Sequence, residues 1–139
     1  MPLVIYVIVF NMDTANIKVL IVEDDEIGQA AAKIALEKLG HVVDMAEYGK
    51  DAVKLFTDNK YDLVFMDIAI LDMDGFTITE NFRRIEKEKK YTKIPIIALS
   101  GFDDPSFKKR AAEVGINSYI LKPITSAKCK QIIDEFVKL

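Results

Sequence analysis

Four short apolar runs each end in a polar residue, and nothing else in the chain constrains its fold as tightly. Val19-Leu20-Ile21-Val22 runs into Glu23-Asp24-Asp25, and Leu63-Val64-Phe65-Met66 runs into Asp67. Ile96-Ile97-Ala98-Leu99 runs into Ser100, and Tyr119-Ile120-Leu121 runs into Lys122-Pro123. Runs this short and this apolar suit strands buried on both faces, as in a parallel sheet. Ligands of open α/β sheets bind outside the carboxyl ends of the strands. Parallel strands would therefore bring the carboxylates of Glu23, Asp24 and Asp67, the Ser100 hydroxyl and the Lys122 ammonium to one pocket. That set can hold a divalent cation and a phosphoryl group.

Strand-like and helix-like patterns alternate from Ile17 onward. Strands are expected at Ile17–Val22, Val42–Met45, Asp62–Met66, Pro95–Leu99 and Asn117–Leu121. Helices are expected at Glu26–Leu39, Lys50–Asp58, Phe76–Lys89, Pro105–Val114 and Ser126–Val137. In the first helix Ile27, Ala30, Ala31, Ile34 and Ala35 recur at helical spacing and form its apolar set. Asp25 is read as its cap, and Thr125 or Ser126 as the cap of the last. Repeated β/α units predict an α/β fold: a doubly wound five-stranded parallel sheet with helices on both faces. The run Glu86-Lys87-Glu88-Lys89-Lys90 reads as a solvated helix end. His41 follows a helix-ending glycine and is expected to be exposed, and Met66 and Met73 are expected to pack.

At 139 residues the length fits one domain. A net charge of −3 argues against direct nucleic-acid binding. The single cysteine, Cys129, excludes an internal disulfide, fits a reducing compartment and reads as a small core residue. Leu3–Phe10 is an unbroken apolar run, too short to span a bilayer and without a signal peptide's basic start. Residues 1–16 read as an apolar extension, open to three readings (an extra strand on a sheet edge, an interface-forming segment or a non-native stretch, the last two favoured), and 17–139 as the folded domain. No membrane contact is expected.

The ordered matches resemble a response-regulator receiver domain of two-component signalling, a CheY-like, flavodoxin-like fold. They are Val22-Glu23-Asp24-Asp25, Met66-Asp67-Ile68, Met73-Asp74-Gly75, Leu99-Ser100-Gly101 and Leu121-Lys122-Pro123, each in its place after a strand. The resemblance covers Ile17 to about Val137. It implies that Asp67 is the phospho-acceptor, with Lys122 and Ser100 assisting. It implies Mg²⁺ held by Asp24, Asp67 and the Ala69 backbone carbonyl, with Glu23 acting through water. Ser100 and Tyr119 fill the switch positions, and the Lys122–Pro123 bond is expected to be cis. The surface expected to respond is the fourth helix, fifth strand and fifth helix. The implied donor is a histidine kinase or histidine phosphotransfer protein, in the cytoplasm. The resemblance leaves open a homodimer through the responding face or the N-terminal segment. It also leaves open whether this is a stand-alone receiver or the receiver of a hybrid kinase. Such a module is not an enzyme, although it contributes catalysis to its own phosphorylation and dephosphorylation.

The family usually has proline where Leu71 stands, so a more mobile loop is expected there. By the resemblance, Ala69 and Phe102 fall at the two places that tune hydrolysis in this family, and neither offers water a polar group. The resemblance therefore implies an unassisted, rather long-lived acyl phosphate. Two unit charges about 4 Å apart repel by about 4 kcal/mol at an effective dielectric of 20, a penalty that a divalent cation removes. A Mg²⁺-dependent phosphohydrolase would usually want a second acid at position 69, which is alanine. An FMN-binding flavodoxin-like domain would want a glycine- and hydroxyl-rich loop after the first strand, where this chain is acidic.

Overall fold

The computed structural model describes residues 16–70, 72–101 and 105–137. The N-terminal run Leu3–Phe10, Leu71 and Phe102 lie outside the described residues. In chain order the elements are β1 (Lys18–Val22), α1 (Glu26–Lys38), β2 (Val42–Ala46), α2 (Gly49–Asp58) and β3 (Leu63–Asp67). They continue with α3 (Gly75–Lys89), β4 (Ile96–Ser100), α4 (Pro105–Val114), β5 (Ser118–Leu121) and α5 (Ser126–Phe136). The five strands form one parallel sheet in the order β2-β1-β3-β4-β5. This is the expected doubly wound sheet, and its order reverses between β1 and β3, where such folds open a crevice.

Side chains alternate across a strand, so each apolar run feeds two cores. Leu20, Val22, Val64, Met66, Ile96 and Ala98 face the layer containing α2, α3 and α4. Val19, Ile21, Leu63, Phe65, Ile97 and Leu99 face the layer of α1 and α5. Because both faces are covered, a polar residue inside these runs would lose its water without a partner. Phe56 of α2 stacks on Phe82 of α3, with ring centroids 4.1 Å apart, which ties these helices together. Met66 is buried, Met73 packs against the same layer, and Cys129 is a buried residue of α5 in the opposite layer. Among the described residues no helix is long and apolar enough to cross a membrane.

The structure corrects the expected face of α1. Ala32, Ala35 and Leu36 are its buried residues, whereas Ile27 is 80% exposed and Ile34 66% exposed. The packed face lies one residue, about 100°, around the helix from the expected one. An alanine-rich helix fits either phase, and Leu36 decides between them. Two further expectations are corrected. Glu86 is not solvated but 4% exposed; it accepts from Arg83 Nη1 at 2.9 Å and from the Ile94 amide at 2.9 Å. His41 is half-buried, and its Nδ1 accepts the Ile17 amide at 3.2 Å.

Candidate functional site

The sheet register carries the polar strand ends to one edge. Val22 pairs with Met66, so Glu23 and Asp67 leave adjacent strands at the same level. Asp67 pairs with Leu99, and Ser100 with Leu121, which sets Ser100 one step further along and Lys122 two. The Lys122 amide donates to the Ser100 carbonyl at 2.8 Å. The Lys122–Pro123 bond is cis, and Lys128 Nζ donates to the Leu121 and Pro123 carbonyls on either side of it.

The carboxylates of Glu23, Asp24 and Asp67 each bring an oxygen within 4.8 Å of the other two. Glu23 and Asp67 are buried, and Asp24 is half-buried. Lys122 Nζ donates to Glu23 Oε1 at 3.0 Å and to Asp67 Oδ2 at 3.0 Å. The other Asp67 oxygen, Oδ1, accepts the Ala69 amide at 3.1 Å. Burial, and then hydrogen bonding to Asp67, push the Glu23 carboxyl up to about 8, although Lys122 pulls it down. Burial alone would lower the Lys122 ammonium, but its bonds to Glu23 and Asp67 outweigh that and raise it. Three acids against one ammonium leave excess negative charge, which a proton on Glu23 or a divalent cation relieves.

Glu23 reaches this position through a feature that sequence reasoning missed. Its carboxylate lies under the first turn of α1, against Gly28, where an added β-carbon would overlap Glu23 Oε1. Asp25 caps the same turn, accepting the Gly28 amide at 2.8 Å. No signal in the sequence marks Gly28, because the need for it depends on where the Glu23 side chain points.

Ser100 is buried at the end of β4. Tyr119 is half-buried on β5, edge-on to Phe107 of α4 at 6.3 Å, with Lys108 Nζ 5.0 Å from its ring centroid. Ala69 is exposed in the loop after β3. The donor set fits Mg²⁺: hard oxygens from a few carboxylates, open enough to leave places for water and substrate oxygens.

A sheet of order 2-1-3-4-5 with acids, a hydroxyl and a lysine at its carboxyl edge defines a receiver, the phospho-acceptor module of phosphorelay signalling. The family model for the response regulator receiver domain matches residues 19–134, and the chain belongs to this family. Hybrid signal transduction histidine kinase A of Dictyostelium discoideum is 34% identical over 117 residues, covering 84% of this chain and 5% of the kinase. The chain spans between 5% and 16% of the length of eight curated relatives that it matches. The receiver domain of sensor histidine kinase PA1611 from Pseudomonas aeruginosa was crystallised with magnesium in its active-site cleft. It is similar with a TM-score of 0.77 and 28% identity, over 88% of this chain and 98% of that one. The Saccharomyces cerevisiae Ssk1 receiver, co-crystallised with the histidine phosphotransfer protein Ypd1, gives a TM-score of 0.79 and 28% identity, over 88% and 89%. The phosphohydrolase and flavin readings are not favoured.

Proposed function

We propose that Asp67 takes a phosphoryl group from a phosphohistidine of a histidine kinase or phosphotransfer protein. One Asp67 oxygen forms the new O–P bond, the P–N bond to the donor imidazole breaks, and the imidazole leaves with the bonding pair. Catalysis of this step is mostly positioning and charge stabilisation. The convergence of the Glu23, Asp24 and Asp67 carboxylates within 4.8 Å, with Lys122 in their midst, carries this reading.

Mg²⁺ would be held by Asp24, Asp67 and the Ala69 carbonyl, with Glu23 acting through water; when bound, it neutralises carboxylate and phosphoryl charge. Lys122 orients Asp67 before transfer and has donors to spare for a phosphoryl oxygen afterwards. The Ser100 hydroxyl donates to another phosphoryl oxygen, and Tyr119 repacks against Phe107 as Ser100 moves. The face of α4, β5 and α5 then changes, biased by charge-assisted hydrogen bonds, and signals to a downstream partner or a second copy. With Ala69 beside the acceptor, no side chain at that place positions a hydrolytic water, which supports a long-lived acyl phosphate. The chain acts in the cytoplasm, alone or within a hybrid kinase, and has no turnover activity beyond its own phosphorylation and dephosphorylation.

The donor approaches over the open edge of the sheet. Beside that edge α1 exposes Ile27, Ala30 and Ile34 on one face, which suits an apolar helix of the donor. Intact-mass measurement with acetyl phosphate tests the reading. A Mg²⁺-dependent gain of about 80 Da, absent in Asp67→Asn, is expected. If wild type gains nothing from either acetyl phosphate or a phosphorylated donor protein, the proposal fails.

A further inference from the structure

The geometry points to Asp72 as a positioning residue for the acceptor site: it caps α2 from a different element and thereby fixes the loop that carries Ala69. The inference rests on the reading above, in which the Ala69 carbonyl is a metal ligand.

Helix α2 lacks a cap of its own. Tyr48 has the extended backbone of a capping residue, but its side chain makes no capping hydrogen bond. The first amides of a helix need acceptors, and a carboxylate there also meets the positive end of the helix dipole. Asp72, in the loop between β3 and α3, supplies both. Its Oδ1 accepts the Gly49 amide at 2.7 Å, and its Oδ2 accepts the Lys50 amide at 3.3 Å. These bonds, with Gly49 foremost, hold the exposed carboxyl below its usual range.

Loop and helix are also fitted sterically. A β-carbon at Gly49 would lie 2.9 Å from Met73 Cβ and 3.1 Å from Ile78 Cδ1, so only glycine lets them approach so closely. The loop is tied at its far end as well, where the Gly75 amide donates to the Ile68 carbonyl at 3.0 Å and Asp74 caps α3. Ala69 lies between these anchors with its amide on Asp67 Oδ1. Ala69 thus belongs to a loop held at its base by the Gly75–Ile68 bond and to α2 by the hydrogen bonds of Asp72, and loosening the second hold should loosen the ligand that Ala69 supplies.

A cap that served only α2 could be replaced from either side of the helix end. Tyr48→Asp puts a carboxylate at the capping position within α2's own sequence and leaves the loop untied. The test measures Mg²⁺ affinity by calorimetry and the urea midpoint in wild type, Asp72→Ala, Asp72→Asn and Tyr48→Asp/Asp72→Ala. Asp72→Ala is expected to lower the urea midpoint and to weaken Mg²⁺ binding several-fold, because the loop that carries Ala69 loses its hydrogen bonds to α2. Asp72→Asn keeps an acceptor oxygen and most of the affinity. The double variant regains the urea midpoint but not the affinity. Unchanged affinity in Asp72→Ala, or affinity that returns together with stability in the double variant, overturns the positioning role alone. Failure of the wild type to bind Mg²⁺ overturns the reading of the site, and this inference with it.

Discussion

Gly28 leaves the space that the Glu23 carboxylate occupies: an added β-carbon would overlap Oε1 and come within 3.2 Å of Cγ. Glu23 is 2% exposed and pinned by Lys122, so it has no easy retreat. Helix propensity alone predicts that Gly28→Ala stabilises by about 1 kcal/mol. Displacing a buried carboxyl group that is hydrogen-bonded to Lys122 costs more than that, so we expect net destabilisation of about 1 kcal/mol. In a Glu23→Ala background the obstacle is gone, and Gly28→Ala should stabilise. A double-mutant cycle in urea reads the sign change. If Gly28→Ala behaves alike in both backgrounds, Glu23 does not lie where α1 needs the space.

Asp67→Asn should stabilise the metal-free protein by about 1 kcal/mol, because it removes one of three clustered acids, of which Glu23 and Asp67 share the Lys122 ammonium. The asparagine carbonyl still accepts the Ala69 amide. The Glu23 carboxyl, held up partly by Asp67, should fall back from about 8. Mg²⁺ should raise the melting temperature of wild type more than that of the variant. A loss of more than about 1 kcal/mol on substitution would show that Lys122–Asp67 attraction outweighs the repulsion among the acids.

Much of this was legible in the sequence because the central strands carry a message in their composition. Runs such as Leu63–Met66 have no polar alternation, so they must be covered on both faces, and the residue after each run must lie at the sheet edge. What was not legible depends on three-dimensional partners. The phase of α1 was ambiguous because Ala30, Ala31, Ala32 and Ala35 fit any face. Glu86 sits in a charge run that looks solvated, and its burial depends on Arg83 and on the Ile94 amide arriving from the next loop. His41 looked exposed, since nothing local shows that the Ile17 amide needs an acceptor. Asp72 carries no signal in the sequence, because its partners are the uncapped amides at the start of α2, an element distant in the chain.

Ile34 offers a test of the donor surface. It is 66% exposed, so Ile34→Lys should change stability by no more than about 0.5 kcal/mol. Burying a lysine against an apolar partner helix is unfavourable, and phosphotransfer from a histidine phosphotransfer protein should slow by about 10-fold. Transfer from acetyl phosphate, which needs no docking helix, should proceed at the wild-type rate. Equal slowing with both donors would mean that the substitution disturbs the site, and no slowing with either would move the docking surface away from α1.

His41 should make the fold sensitive to mild acid. Burial lowers its pKa in the fold, and its Nδ1 can accept the Ile17 amide only while unprotonated. Above the unfolded value of about 6.5 both states are neutral at this residue, and its contribution is complete. As pH falls through 6.5 toward the folded value the unfolded chain takes up its proton first, and stability is lost. Glu23 runs the other way: its carboxyl is raised to about 8, so its contribution is complete below the unfolded value of 4.5 and lost as pH rises through the folded one. The two are separated by comparing wild type with His41→Gln from pH 5 to 8. The stability difference between them should change with pH below about 6.5 and be flat above it. Curves that stay parallel across the whole range would mean that His41 titrates alike in the folded and unfolded chain.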